Sequence, residues 1–177
     1  MNETLQVLAT RRSIKAYTGQ PVPEEVLDQI LDAGIRAPSG RNSQKAIVVL
    51  VRDKETRDQL SRLNASFMGA AGLSPSADPF YGAPCGAVVL ADPQRNTWIE
   101  DGSLVIGNMM TAAHALGVGS CWVHRATEMF DSDEGRALLE KWGLPTYLRG
   151  VGNCLLGYPA QTPVEKPRLP GRIIKID

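Results

Sequence analysis

The sequence has little cysteine and histidine, and what it has is scattered. Its three cysteines, Cys85, Cys121 and Cys154, lie far apart and form no C-x-x-C pair. Each is flanked by apolar residues, which predicts buried free thiols in a reducing compartment. Because only two histidines accompany them, the residues needed for a zinc site are lacking, and no metal site is expected.

Net charge and long apolar runs are also missing. Lys+Arg and Asp+Glu each number 19 among 177 residues, so no overall field draws the chain to nucleic acid or to a membrane surface. No apolar run approaches the roughly 18 residues of a membrane span, and residues 1–10 lack the apolar stretch of a secretory signal. We therefore expect a cytoplasmic protein with one domain, residues 1–177, that binds neither nucleic acid nor membrane.

Several common enzyme motifs are absent. Gly117-Val118-Gly119 follows a predicted helix and precedes a predicted strand, the reverse of the order in a dinucleotide-binding fold. The chain has no G-x-x-x-x-G-K-[ST] phosphate loop and no G-x-S-x-G nucleophile motif. On a strand, Cys121 and His124 would face opposite sides, which argues against a thiol enzyme.

Apolar periodicity predicts alternating helices and strands around one central sheet, in an α/β or α+β domain. A strand at 46–51 is apolar throughout, which suggests burial on both faces. The helix at 98–116 is apolar or small on nearly every side, which predicts a position in a core or at a subunit interface. The other predicted helices are 2–9, from Pro23 to before Pro38, 53–63 and 133–142, and the other strands are 86–91, 118–123 and 150–157.

Two segments lack periodicity. Residues 64–84 are rich in Gly, Ser, Ala and Pro, and are predicted to be a variable loop or a helical lid that shapes substrate access. Residues 158–177 carry prolines at 159, 163, 167 and 170 and are predicted to form an extended C-terminal arm. Such an arm cannot form its own core, so it must lie on its own domain or on a partner.

Two compact basic clusters stand out in this neutral chain. Arg11-Arg12-Ser13 lies near the start and Lys166-Pro167-Arg168 near the end. The planar guanidinium of arginine matches phosphate oxygens, so the two clusters suggest a small, highly charged anion held from both ends of the chain. Solvated surface charge is the alternative for either cluster taken alone.

Residues 37–44, Ala-Pro-Ser-Gly-Arg-Asn-Ser-Gln, form a turn dense in small and hydrogen-bonding groups. Ser39 or Asn42 could serve only as a helix cap. The functional interpretation is a loop whose amides and side chains meet the polar edge of a flat ligand.

Five segments, taken in order, resemble the motifs of the FMN-dependent nitroreductase family. The resemblance covers essentially the whole chain, and each segment is weak alone. The segments are Arg11-Arg12-Ser13-Ile14-Lys15-Ala16-Tyr17; Ala37-Pro38-Ser39-Gly40-Arg41-Asn42-Ser43-Gln44; Tyr81-Gly82-Ala83-Pro84; the block from Asp101 through Asn108 and Ala112-Ala113 to Gly117-Val118-Gly119-Ser120-Cys121-Trp122; and Leu156-Gly157-Tyr158-Pro159 followed by Lys166-Pro167-Arg168.

The resemblance implies an α+β nitroreductase-like fold with a central, mostly antiparallel sheet flanked by helices. It also implies a homodimer that binds FMN at its subunit interface. The residues it assigns to the cofactor are Arg11, Arg12, Ser13, Lys15, Pro38, Ser39, Asn42, Gln44, Trp122, Val123, His124, Lys166 and Arg168.

These residues have different implied roles. Arg11, Ser13, Lys166 and Arg168 would hold the phosphate and ribityl chain, and Arg12 would share that role or face solvent. Lys15 would stabilise negative charge on the reduced flavin. Pro38, Ser39 and Asn42 would reach the flavin from the partner subunit, backbone at 123–125 would approach N5, and Trp122 would line the ring.

The implied activity is an NADH- or NADPH-dependent reduction of nitroaromatics, quinones or activated alkenes by a ping-pong mechanism, with no side-chain acid or base required. A flavin-binding sensor or storage protein is the alternative. Lys45 stands where many family members have proline, and this departure leaves the acceptor open.

Overall fold

The computed structural model describes residues 2–68 and 78–176. These residues form six α-helices and four strands, joined by loops and turns. A short 3-10 helix, Gly40–Asn42, precedes the first strand. The helices are α1 (Glu3–Thr10), α2 (Glu24–Ile35), α3 (Lys54–Ser66), α4 (Trp98–Ala115), α5 (Ala126–Asp131) and α6 (Asp133–Lys141), and the strands are β1 (Ala46–Val51), β2 (Cys85–Ala91), β3 (Gly119–Val123) and β4 (Arg149–Gly157).

Side-chain caps explain where several helices begin. Asn2 Oδ1 accepts a hydrogen bond from the Leu5 amide at 2.9 Å, and an Asp53 oxygen accepts one from the Thr56 amide at 2.7 Å. Ser132 caps α6 in the same way. These caps satisfy amides that the first helical turn leaves unpaired, so each helix starts within a residue of its predicted position.

The four strands form one antiparallel sheet in the order β1-β2-β4-β3. This confirms the predicted fold class. At one end of the sheet Ala46 pairs with Ala91, which pairs with Arg149; at the other end Cys85 pairs with Leu156, which pairs with Ser120.

Apolar side chains cover both faces of the sheet. On one face, α2 and α4 pack through Ile30, Ile106 and Met109, none of which is exposed. On the other face, α3, α5 and α6 pack through residues such as Leu60 and Leu139. One face of α4 and all three cysteines are buried, in agreement with the sequence predictions.

Two predictions of local structure were wrong. Strand β1 is not buried on both faces: only Val51 is buried and Ile47 is 36% exposed, because β1 lies at the edge of the sheet. Helix α5 was not predicted. In the predicted loop or lid at 64–84, α3 extends to Ser66 and a turn occupies 78–84, whereas 69–77 lie outside the described residues.

Candidate functional site

The N-terminal segment, residues 11–18, lies along the outer edge of β3. The Ile14 amide donates to the Ser120 carbonyl at 2.9 Å, beside an isolated parallel bridge between Ser13 and Ser120. Further along, the Thr18 amide donates to the carbonyl of Tyr158, directly after β4, at 2.9 Å. The backbone therefore brings the start of the chain against the start of the C-terminal arm.

Arg11, Ser13 and Lys15 lie near Cys121 of β3. They alternate along an extended segment and so share one side, while Ile14 between them is buried. Burial raises the pKa of Cys121, and this effect is opposed by the charge of Lys15, a hydrogen bond from Ser13 and the charge of Arg11. Their alternation along the segment beside β3 places these three predicted residues near one another, and we call them the N-terminal cluster.

Arg11 carries a buried nitrogen with no protein partner. Its Nη1 atom is shielded from solvent and makes no hydrogen bond within the described residues. An unpaired buried cationic donor is costly, so an anionic group at this position would be strongly stabilised.

Arg12 has a different environment from Arg11. Its Nη2 lies 2.6 Å from Glu165 Oε1 in the C-terminal arm, and its Nη1 donates to the carbonyls of Ala9 and Arg11 at 2.7 and 2.9 Å. Arg12 therefore connects the two ends of the chain and does not face solvent. Lys166 follows Glu165 directly, and both Lys166 and Arg168 are exposed.

The side chain of Tyr81 lies next to that of Lys15. The Lys15 Nζ atom lies 5.6 Å from the centroid of the Tyr81 ring, which is the geometry of a cation–π contact. Asp78 holds the turn that presents this ring, because its carboxylate accepts from the amides of Phe80 at 2.8 Å and Gly82 at 2.6 Å. The sequence placed Tyr81 in a motif but gave it no role in the site. Its aromatic side chain was the only feature of the sequence that could have indicated one.

The 37–44 loop is held by Asp101 of α4. The Asp101 carboxylate is 5% exposed and accepts from the Gly40 amide at 2.8 Å, from Thr97 Oγ1 at 3.1 Å and from Ser43 Oγ at 3.4 Å. Three non-glycine residues of the loop, 41, 42 and 44, have positive φ, which is an uncommon conformation. Sequence reasoning gave Asp101 no role, since the contact joins residues about sixty positions apart.

The loop residues that were predicted to contact the ligand differ in solvent exposure. Pro38, Asn42 and Gln44 are exposed and Ser39 is half-buried. Ser39 Oγ accepts from the Gln44 amide at 3.0 Å, whereas Gln44 Nε2 donates to Asn42 Oδ1 at 3.1 Å. These bonds order the loop internally and leave the Pro38 ring free to contact another molecule.

Within one chain, the loop and the N-terminal cluster lie at diagonally opposite corners of the sheet. The loop enters β1 at the end marked by Arg149, whereas Ser13 pairs with β3 at the end marked by Leu156. Three strand spacings separate β1 from β3, about 14 Å, and the two ends of β4 are about 20 Å apart. A small molecule bound by the cluster therefore does not reach the loop of the same chain.

Strand β3 ends in an unusual turn at 123–125. Val123 is buried, His124 is exposed and Arg125 has φ +76°. Trp122 lies on the opposite face from Cys121 and Val123, packed against the core of α4. Val123 therefore shares the face of Cys121, the indole of Trp122 does not, and the exposed His124 follows the end of the strand.

The described residues hold neither a metal-binding cluster nor a helix that could span a membrane. No group of three or more His, Cys, Asp or Glu side chains is arranged to hold a metal ion. In the same part of the chain, no helix combines the length and apolar character needed to cross a membrane.

Comparisons with known proteins define the class to which this fold and cluster belong. The model of the nitroreductase family matches residues 8–158. The chain therefore belongs to the nitroreductase family. An FMN reductase [NAD(P)H] of Bacillus subtilis is 31% identical over 192 residues, which cover 96% of this chain and 71% of the relative.

Solved structures agree with this assignment. A nitroreductase with bound FMN from Bacteroides fragilis superposes with a TM-score of 0.92 at 28% identity, covering 100% of both chains. A nitroreductase with bound FMN from Desulfitobacterium hafniense gives 0.88 at 28% identity, again over 100% of both chains.

Proposed function

We propose that this chain is a homodimeric FMN-dependent oxidoreductase that takes electrons from NADH or NADPH and passes them to a small organic acceptor by a ping-pong mechanism. Nitroaromatics, quinones and activated alkenes are the acceptor classes. The observation that carries the proposal is that residues 11–18 pair with β3 and with the start of the C-terminal arm, and that a buried Arg11 nitrogen there has no partner among the described residues.

The residues present fit the phosphate of FMN. The buried Arg11 Nη1 lacks a protein partner, and a phosphate oxygen is the type of acceptor that a guanidinium pairs with best. The Arg12–Glu165 ion pair keeps Lys166 and Arg168 near the same end of the sheet. Arg12 itself is assigned to this connection between the chain ends, because its donors are already engaged by Glu165 and two carbonyls.

FMN supplies the redox chemistry when bound, by accepting hydride at N5 and returning electrons to an acceptor. The chain's own residues bind, orient and shield it. Lys15 is assigned to the pyrimidine edge, where its charge stabilises negative charge, and Tyr81 fixes the ammonium. The backbone at 123–125 is assigned to the N5 edge.

The separation of the two predicted binding segments supports the proposed homodimer. Because the 37–44 loop cannot reach the cluster of its own chain, its Pro38, Ser39, Asn42 and Gln44 are assigned to the cofactor bound by the partner. Exposed apolar side chains on the helical surface, including Leu5, Leu8, Ile99, Leu104 and Leu116, provide area for the interface.

The cysteines take no part in the proposed chemistry. Burial raises the pKa of Cys85 to about 11 and also raises the pKa of Cys121 and Cys154. A thiol is nucleophilic only as its thiolate, so these groups are inert near neutral pH. Buried free thiols also fit a reducing compartment, and we propose a cytoplasmic location.

Anaerobic reduction tests the proposed activity. The FMN-loaded protein is mixed with NADH or NADPH without oxygen, and the yellow flavin absorbance is followed. The proposal expects rapid bleaching by at least one donor and recovery of the colour when a quinone is added. Flavin that stays oxidised for minutes with both donors would instead favour a sensor or storage protein.

A further inference from the structure

Two asparagines are buried in the apolar layer beneath the β3 turn. Asn64 of α3 is 0% exposed and Asn153 of β4 is 1% exposed. Their neighbours are apolar residues such as Leu63 and Met129. Burying an amide here is unfavourable unless its hydrogen bonds are made, and the Oδ1 atoms of both side chains have no partner within the described residues.

Both side chains donate to consecutive carbonyls of that turn. Asn64 Nδ2 donates to the His124 carbonyl at 2.6 Å, and Asn153 Nδ2 approaches the Val123 carbonyl at 3.4 Å. Only the Asn64 bond has the length of a well-formed hydrogen bond. The amide groups also point towards the same Met129 sulfur, at 3.2 and 3.6 Å.

The hydrogen bond from Asn64 to the His124 carbonyl also fixes the direction of the next backbone N–H, that of Arg125. In a planar trans peptide, the C=O of His124 and the N–H of Arg125 point in opposite directions. Because Asn64 holds that carbonyl towards the core, the Arg125 N–H is directed away from the core. This amide donates to no acceptor within the described residues.

The left-handed conformation of Arg125 supports the same conclusion. A non-glycine residue at φ +76° is unfavourable, and such conformations persist where the surroundings impose them. The Arg125 side chain pairs with Glu128 at 2.8 Å on its own helix, so the side chain does not account for the turn. The bond from the buried Asn64 amide holds the peptide group that precedes Arg125.

We propose that Asn64 is a positioning residue that aims the Arg125 N–H at the flavin. This inference rests on the proposed function, which assigns the backbone at 123–125 to the N5 edge. Asn64 touches neither cofactor nor acceptor. It acts through the His124 carbonyl, and the donor that it positions at the N5 edge of the flavin is the Arg125 N–H.

The test replaces Asn64 by leucine, which is similar in shape and cannot donate. Leu63→Ala is the matched control, since it removes buried contacts from the adjacent position of α3 and leaves the His124 contact in place. Apoprotein labelled with 15N is titrated with FMN, and the Arg125 amide resonance and the FMN dissociation constant are recorded for each form.

In the wild type, FMN is expected to move the Arg125 amide resonance downfield. N64L should lose most of that movement and bind FMN about two- to tenfold more weakly, the range for one neutral hydrogen bond. L63A should keep both properties while lowering stability. If N64L does not fold, N64S, whose hydroxyl is too short to reach the carbonyl, is judged by the same criteria.

The outcomes separate the two proposals. A wild-type protein that does not bind FMN contradicts the proposed function. A wild type that binds FMN with an unmoved Arg125 amide, or an N64L protein that responds as the wild type does, overturns the role of Asn64. Equal losses in N64L and L63A would also overturn it, because they would show general destabilisation of α3.

Discussion

Arg11 and Arg12 are neighbours in the sequence but have different surroundings in the structure. Arg11 lies near Cys121 with an unpaired buried nitrogen, whereas Arg12 is engaged by Glu165 and backbone carbonyls. In an extended segment adjacent side chains point to opposite sides, so only one of two consecutive arginines can face a given ligand.

Arg168 provides the most direct test of the C-terminal half of the phosphate site. Arg168→Ala should weaken FMN binding by about 1.5–3 kcal/mol, because it removes a charge-assisted hydrogen bond. Flavin fluorescence titration measures the change. Arg172→Ala is the matched control, since it removes the same charge four residues further along the arm. Equal FMN affinity in the Arg168 variant and the wild type would contradict this assignment.

Lys15 is expected to affect the redox equilibrium more than the retention of FMN. Lys15→Met should lower the reduction potential of bound FMN by roughly 20–60 mV, equivalent to about 1–3 kcal/mol for two electrons, because a cation stabilises the negative charge of reduced flavin. Equilibration with redox dyes gives the potential. Lys141→Met, an exposed substitution on α6, serves as the control. A potential unchanged in both variants would remove Lys15 from the flavin edge.

The residue types of the site could be predicted from the sequence more readily than their partners. Arg11, Ser13 and Lys15 follow from a local motif with alternating spacing. Asp101, Tyr81 and Asn64 could not be assigned, because each acts through a contact with a distant segment or within a turn whose shape the sequence does not reveal.

At the scale of helices and strands, long periodic segments were predicted well and short irregular ones were not. Helix α4 shows a clear apolar pattern over 18 residues. Helix α5 has only six residues, and its N-cap is Arg125 with positive φ and no side-chain cap, so the usual start signal is absent. The burial of β1 was overestimated because an apolar run does not distinguish an edge strand from a central one.

The close packing of α5 on β4 gives a prediction about the β3 turn. A Cβ atom at Gly150 would collide with the backbone of Ala126, the residue after Arg125. Gly150→Ala should therefore lower the free energy of unfolding by about 1–3 kcal/mol, the usual effect of overpacking, and displace the turn.

Chemical denaturation measures this effect. Gly19→Ala is the control, because nothing lies within 4 Å of a Cβ atom at that position and its backbone is not left-handed. Similar stability of the two variants would mean that α5 and β4 are less closely packed than described.

At the scale of the whole molecule, the C-terminal arm carries large apolar side chains that are exposed. Residues 158–176 contain no helix or strand, and Val164, Leu169, Ile173, Ile174 and Ile176 are each at least 77% exposed. The described part of the chain buries none of these five side chains. A second copy of the chain would cover them in the proposed dimer.

Truncation after Gln161 tests this role of the arm. The shortened chain retains the Ala160–Ala16 backbone hydrogen bond but loses the exposed apolar residues of the tail and its basic residues, including Lys166 and Arg168. Its dimer should dissociate at higher protein concentration than the wild type, as measured by sedimentation velocity.

A second variant separates assembly from phosphate binding. Combining Ile173→Ser with Ile174→Ser keeps Lys166 and Arg168, so it should weaken the dimer more than it weakens FMN binding. A truncated protein with unaltered dimer stability would show that the arm lies on its own chain.

The central claim is that the two ends of the chain hold one FMN at an interface between two copies. An FMN titration of the purified apoprotein in the analytical ultracentrifuge, with absorbance recorded at the flavin wavelength, tests this directly. The account predicts saturation at one FMN per chain, with all bound flavin sedimenting with the dimer. Absence of binding, or flavin that sediments with a monomer, would contradict it.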